Sequence, residues 1–366
     1  MSYSERKVLY SKLEELRGRP LIAYVTSIRP GIKAVMAGDS IPMIIDQISK
    51  IPPSTEDIDF LIISNGGDPI TSLRIISILR ERFKSITVII PYVAYSAATV
   101  LALGADEILM HPYSNLGPVD PQMTIPKQFN DGQTSNIEFG SEDIRNYIEF
   151  IRSDVGITDQ AQLMTAFSAL ASQVGTIPIG SSKRSQQLTL SLSIKMLETH
   201  MDDKNKAALI AKALNTSYYH HGYAVGRKEA KAIGLNIVDP QKVEEEIVWR
   251  IWEDFCYEMK CTTEFNPLTE IMSDPKAKAK IESVSVIQIP ANTPPQLAQR
   301  TIENLVQKNL RITQQEPLEI NQLLASVEST QKVYSYNITN SIAYWRNERM
   351  EVSINCTTFS QGWKAD

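Results

Sequence analysis

Cysteine is the scarcest informative residue in this chain of 366: only Cys256, Cys261 and Cys356 occur. Three thiols, unevenly placed, cannot build a disulfide framework, and the four residues between Cys256 and Cys261 are not the two of a zinc-type pair. They read as reduced thiols of a cytoplasmic protein. Histidine is nearly as rare, at four residues, and His220 and His221 are tandem, so on a helix they would face different sides with no cysteine or carboxylate at ligand spacing. No metal and no cofactor is expected. An excess of positive charge is also missing: the formal net charge is -5, which excludes the broad basic footprint of a nucleic-acid binder. No stretch of 18 apolar residues occurs, and Met1 to Lys7 develops no signal-peptide run, so neither a transmembrane segment nor a secretory leader is expected. A Walker-type phosphate loop is absent as well.

What is present is an ordinary globular composition, 43% hydrophobic and 22% charged, in a chain long enough for two units. The division expected is a main domain over 1–260 and a small α+β appendage over 261–366. After a charged helix from Glu5 to Arg17, Pro20 to Ser27 is an apolar run of strand length. Ser40 to Ile51 then carries Ile41, Ile44, Ile45 and Ile48 at helical spacing, and Phe60-Leu61-Ile62-Ile63 is a second buried strand. Ile70 to Phe83 is helical, Ile86 to Val93 a β-branched strand, Ala97 to Leu103 a small-residue helix and Asp106 to Met110 a short strand. This alternation predicts an α/β fold with a mostly parallel sheet covered on both faces. Polar residues around 124–140 suggest a mobile loop. Helices are expected over Glu142 to Ser153, Asp159 to Ser172, Ser185 to His200, Asn205 to Tyr219 and Arg227 to Ile233. In the appendage, Ser283 to Ile289 reads as a strand, Pro295 to Leu310 as a helix and Val333 to Asn355 as a hairpin.

Two places in this framework can carry chemistry. Ser96 follows an apolar strand and precedes a helix of small residues, the position at which a sharp turn exposes a hydroxyl. Serine is also a favoured helix N-cap, which is the plain structural alternative. Asn65-Gly66-Gly67-Asp68 follows the preceding strand, and consecutive glycines let backbone N–H groups approach a ligand unhindered. Such donors stabilise an oxyanion in acyl transfer. A tight turn is the alternative there.

Four segments in order, Ser64-Asn65-Gly66-Gly67-Asp68-Pro69, Tyr92-Val93-Ala94-Tyr95-Ser96-Ala97-Ala98-Thr99, Ala105-Asp106-Glu107-Ile108 and Leu116-Gly117-Pro118-Val119-Asp120-Pro121-Gln122, resemble the serine dehydrogenase proteinase family of the Clp/crotonase superfamily, related to signal peptide peptidases. Tyr223 to Leu235 is similar to a late helix of such enzymes, so the likeness covers about 20–240. The resemblance implies a Clp/crotonase-like spiral of β-β-α units assembled as a homo-oligomer. It implies Ser96 as nucleophile, with an oxyanion hole from the amides of Gly66, Gly67 and Ala97. The activity implied is that of a serine endopeptidase acting on protein or peptide without ATP through an acyl-enzyme. The same fold hosts acyl-CoA-processing enzymes and admits a non-catalytic oligomeric scaffold, so the fold alone does not fix the activity.

The base is where the sequence departs from the family pattern. Clp-type peptidases place a histidine after the nucleophile helix, whereas Leu116 to Asp120 offers Asp120 and no histidine. Signal peptide peptidases use a lysine whose pKa must be lowered by burial or a cationic neighbour. Lys183, beside Arg184, is the candidate, with Lys127 second. His111 is a further candidate at a strand end. Asp120 is a further secondary candidate; Asp106, Glu107 and Asp120 can be read as paired carboxylates for acid/base work, the alternative being structural carboxylates that hold turns and helix ends.

Overall fold

A computed structural model describes residues 3–128, 134–216, 218, 220–282, 289, 291–309, 316–346 and 351–365. In chain order, α1 (Tyr3–Arg17) and β1 (Leu21–Thr26) are followed by α2 (Ile41–Ser49), β2 (Asp57–Ile63), α3 (Pro69–Arg82), β3 (Ser85–Ile90), the two-residue β4 (Val93–Ala94) and α4 (Ala97–Ala102). Next come β5 (Glu107–Met110), β6 (Asn115–Leu116), β7 (Gln122–Gln128), β8 (Thr134–Gly140), α5 (Ser141–Ser153), α6 (Gln160–Val174), α7 (Thr176–Leu197) and α8 (Lys204–Thr216). Then β9 (Val225–Gly226), α9 (Arg227–Ala232), β10 (Ile237–Val238) and α10 (Lys242–Glu258) lead to α11 (Pro267–Ser273), α12 (Pro275–Glu282), α13 (Pro295–Asn309), β11 (Leu318–Glu328), β12 (Val333–Arg346) and β13 (Val352–Ala365).

The predicted parallel sheet runs in the order β10-β5-β3-β2-β1, in-register pairs such as Ile22 with Phe60 and Phe60 with Val88 joining its strands. Both faces are covered, which explains why these strands read as continuous apolar runs and not as alternating ones. Ile22, Tyr24, Phe60, Ile62, Val88 and Ile90 face the layer built by α2, α3, α4, α7 and α8. The intervening Leu21, Ala23, Val25, Leu61, Ile63 and Ile89 face α1 and α10. Each buried Leu, Ile, Val or Phe among them contributes roughly 1.5–3 kcal/mol. The result is a mixed α/β protein of three layers.

Several expectations change in detail. The strand foreseen from Ile86 to Val93 is two strands, because Pro91 cannot donate to a ladder and the chain bends there from β3 into β4. The mobile loop foreseen over 124–140 is instead the antiparallel pair β7 and β8, with Ile125 opposite Ile137 and Met123 opposite Phe139. Apolar residues at every second position supplied the strand signal, and the polar residues between them concealed it. Residues 129–133 of that stretch lie outside the described ones. The α7 helix starts at Thr176 and not at Ser185, so Lys183 lies within it.

The 261–366 segment joins the main sheet. β11 pairs antiparallel with β1, from Ala23 opposite Glu328 to Thr26 opposite Ala325, and β12 and β13 extend the sheet to eight strands. Where a hairpin was expected, three strands form a meander that covers the edge β1 would otherwise expose. A buried polar cluster fastens the joint: Arg6 donates through Nε and Nη2 to Glu328 at 3.0 and 2.7 Å and through Nη1 to Asp254 at 2.7 Å. Tyr10 and Ser326 add hydroxyl bonds to Glu328 at 2.9 and 2.6 Å. The strand expected over 283–289 falls, apart from residue 289, outside the described residues.

Candidate active site

Ser96 stands at the corner between β4 and α4 with φ 52° and ψ -117°. Among the described residues the only other non-glycine with positive φ is Lys260. A serine in such a sparsely populated region costs of order 1–3 kcal/mol and persists because its surroundings over-determine it. Those surroundings are visible. Thr99 Oγ1 donates to the Ala94 carbonyl at 2.6 Å and accepts from the Gly117 amide at 3.0 Å; Ser72 Oγ donates to the Ala97 carbonyl at 2.6 Å; every residue of α4 is buried. The hydroxyl itself makes no capping bond to the helix, so the plain N-cap alternative does not describe this serine. It stays half-buried, between core and solvent.

The glycine turn lies directly against this corner. A Cβ on Gly66, whose φ is +105°, would fall 2.7 Å from the Tyr95 carbonyl oxygen, 2.8 Å from Ser96 Cβ and 3.0 Å from the Ala97 amide nitrogen. Only glycine lets the two segments approach so closely. The Gly66 amide donates to Ser64 Oγ at 3.0 Å, so this residue supplies clearance and not a free donor. At Gly67 a Cβ would collide with Met36, whose amide and carbonyl bond the Gly66 carbonyl at 2.8 Å and the Asp68 amide at 2.9 Å. That pattern leaves the Gly67 amide out of the bridge. The Ala97 amide, at the first position of α4, has no intrahelical acceptor. Asp68 closes the turn by capping α3, its Oδ1 accepting from the Ile70 amide at 2.9 Å.

Lys183, Lys127 and His111 each bond a group other than Ser96. Lys183 is exposed on α7 and donates to Gln186 Oε1 at 3.2 Å; it lines a cleft of about 630 Å³ with Ile144, Ile148, Leu190, Ile194 and Asn215, a cleft that Ser96 does not line. Lys127, on β7, donates to Gln173 Oε1 at 3.3 Å. His111 is buried and stacked on Trp249 with ring centroids 4.7 Å apart; its Nδ1 accepts from the Tyr113 amide, and burial pushes its pKa down, which suits a neutral packing residue. Asp106 bonds Arg80 of α3 and the Ile86 amide of β3, both at 2.7 Å, so its carboxylate is structural but ties a different helix and strand from the pair that flanks it in sequence.

Asp120 has a partner the sequence reading passed over. Its Oδ1 lies 2.8 Å from Nδ1 of His221, and its Oδ2 accepts from Gln122 Nε2 at 2.7 Å. The hydrogen bond to Asp120 raises the His221 pKa above the ordinary imidazole value, against the opposing effect of burial. Helical spacing and metal-ligand spacing give the tandem histidines no role. His221 in fact lies beyond the end of α8, four residues ahead of β9. Its closeness in sequence to the late segment Tyr223 to Leu235 was the available signal.

Among the described residues no group of three or more His, Cys, Asp or Glu side chains is placed to hold a metal ion. No single described helix is long and apolar enough to cross a membrane; the pair α6 and α7, bent by 93°, meets that measure jointly by length and composition.

Comparison with known proteins gives the corner a context. Residues 30–129, which contain the glycine turn, Ser96 and Asp120, match the family of ClpP-like SDH-type serine proteinases. Two relatives from Methanocaldococcus jannaschii, the uncharacterized proteins MJ1495 and MJ0137, are each 27% identical, over 199 and 198 residues. Each match covers 54% of this chain and 58% of the relative, so the chain spans less than two thirds of the length of these relatives. Similar solved structures include a mutant of the 1510-N membrane-bound stomatin-specific protease (13% identity, 62% of this chain and 83% of that one, TM-score 0.38). ClpP1 from Listeria monocytogenes is another, at 13% identity, 64% and 99% coverage and a TM-score of 0.32.

Proposed function

We propose that this chain, which carries a segment of the ClpP-like SDH-type serine proteinase family over residues 30–129, is a serine endopeptidase whose nucleophile is Ser96. The observation that carries the reading is the strained, uncapped Ser96 packed against Gly66, with the Gly67 and Ala97 amides outside the neighbouring backbone bonds. In the reaction, Ser96 Oγ adds to the scissile carbonyl carbon, and the oxygen that takes up the π electrons is held by those two amides. The amine leaves with a proton, and water resolves the acyl-enzyme without ATP. Removing one such donor lowers kcat by about 10²–10³ in comparable sites.

The Ser-Lys form of this reading assigns the base to Lys183. Because that side chain is exposed and bonded to Gln186, it requires the N-terminal half of α7 to move toward Ser96 when substrate binds. A spiral of β-β-α units is supported by β3 with β4 and β5 with β6, each couple giving one strand to the large sheet and one to the small sheet β4-β6-β9. A homo-oligomer is supported by α5 and α6, which have no buried residue and, among other side chains, expose Phe150 and Met164.

The test is covalent labelling by a fluorophosphonate. Wild type is expected to label with one equivalent and Ser96→Ala not at all, with both variants melting cooperatively. Equal labelling of the two ends the reading.

A further inference from the structure

We propose that the cleft between α5, α7 and α8 is a binding site, separate from the Ser96 corner, for a short apolar peptide with a free C-terminal carboxylate. The inference concerns binding alone and stands whether or not Ser96 is the nucleophile.

Three helical stripes build the cleft, whose volume of about 630 Å³ falls within the range of small-ligand sites. Ile144 and Ile148 are one turn apart on α5, and Ile179, Leu190 and Ile194 follow one line along α7. The face of α7 that enters the core is the neighbouring one, with Ser182, Thr189 and Ser193, so these five side chains stay half-buried as an apolar wall. Ala208, Lys212 and Asn215 of α8, again at helical spacing, complete the lining. Ser96, Asp120 and His221 do not line it.

An apolar wall by itself names no ligand; two polar features do. Asn215 lines the cleft although it is only 2% exposed. Its Nδ2 donates to the Ala211 carbonyl at 2.8 Å and reaches Ser193 Oγ at 3.5 Å. That fixes the amide orientation, since the reverse would set two carbonyl oxygens against each other. Oδ1 is therefore a buried acceptor that no donor among the described residues reaches. Ser141 Oγ, at the first residue of α5, is a second lining atom in the same state. Burying such groups unpaired is costly, and a ligand N–H removes the cost at Asn215.

The second feature is charge. Arg145 pairs with Glu142 at 2.5 Å, so the carboxylate of the lining is already engaged. Among the described residues Lys183 bonds the neutral Gln186 at 3.2 Å, and Lys212 has no ion pair. Two exposed ammonium groups beside an apolar wall suit an anion with an apolar body. A fatty acid supplies the anion and the chain but no N–H for Asn215. A peptide C-terminus supplies all three: a carboxylate for Lys183 and Lys212, a backbone N–H for Asn215 Oδ1 and side chains for the isoleucines.

The experiment is fluorescence anisotropy on the full chain carrying Ser96→Ala, which keeps the probe intact under the serine reading. The probe is a tetrapeptide of leucine and valine, labelled at its N-terminus and free at its carboxylate. Saturable binding is expected, weakened about tenfold when the carboxylate is replaced by an amide. Adding Lys212→Glu should weaken it about 3–10-fold and flatten its dependence on salt. Asn215→Leu should weaken it about 5–10-fold yet raise the melting temperature, because the unpaired buried acceptor is gone; a merely structural asparagine would lower both. Equal affinity for acid and amide, or an unchanged affinity in Lys212→Glu, overturns the inference. Dodecanoate binding more tightly than the peptide overturns it in favour of a lipid anion. An oligomer that Lys212→Glu dissociates in sedimentation would make the cleft an interface between copies, which also overturns it. Should Asn215→Leu fail to fold, Lys212→Glu, on an exposed helical face, decides.

Discussion

Two polar regions of this molecule are built on opposite terms. Around Arg6, the Nε, Nη1 and Nη2 atoms each find a carboxylate, and the Glu328 oxygens receive bonds from Arg6, Tyr10 and Ser326. The Arg6 guanidinium also lies 4.1 Å from the centre of the Phe255 ring. This cluster lets α1, α10 and β11 share one interior and fixes the C-terminal strands to the sheet. At the Ser96 corner the same chain holds a residue in an unfavourable backbone region, leaves its hydroxyl without a capping bond and, among the described residues, keeps two amides outside the neighbouring backbone bonds. Satisfaction serves stability in the first region, and in the second the unspent bonding capacity is what the proposed peptidase chemistry would use.

The largest effect is expected from breaking the satisfied region. Arg6→Ala leaves Glu328 and Asp254 buried without their counter-charge, and a loss of about 3–5 kcal/mol is expected in urea unfolding. A loss under about 1 kcal/mol would mean that the cluster is not what fastens β11 to β1. A smaller effect of opposite sign is expected at the corner. Ser96→Gly removes the penalty of a side chain at positive φ, so the unfolding midpoint should rise by the equivalent of about 1 kcal/mol while labelling disappears. Unchanged or lowered stability would place the strain elsewhere.

The smallest effect concerns the Asp120–His221 pair. Its hydrogen bond raises the folded-state pKa of His221, so the stabilisation is fully present below the unfolded value of about 6.5 and is lost as pH rises through the higher folded value. The pair is partly exposed, and solvent screening holds it to under about 1 kcal/mol. Asp120→Asn should therefore cost more stability near pH 5.5 than near pH 8.5 when unfolding midpoints are compared. An equal cost at both values would show that the imidazole and the carboxylate are not coupled.

Much of the framework was legible in the residues. Phe60 to Ile63 and the β-branched run after Ile86 announce buried strands by composition alone, and Ser96 between a strand and a small-residue helix announces the corner. The pair β7 and β8 was not legible, because polar residues such as Gln128 and Asn136 mask a period-two pattern. Nor was the pairing of β11 with β1, some 300 residues apart in the chain. Register across so long a separation leaves no local mark.

Local sequence decided the elements themselves: which runs are strands and helices, where glycine must stand at residue 66, and which serine sits at a turn. Hydrophobic period and turn chemistry act over a few residues, so they can be read from neighbours in the chain. Tertiary structure alone decided that Arg6 meets Glu328, that Lys183 lies on an exposed helical face and that His221 meets Asp120. The first and last are contacts between segments 322 and 101 residues apart, and they depend on how separate elements are stacked. Packing, which no single segment encodes, brought the imidazole to the carboxylate.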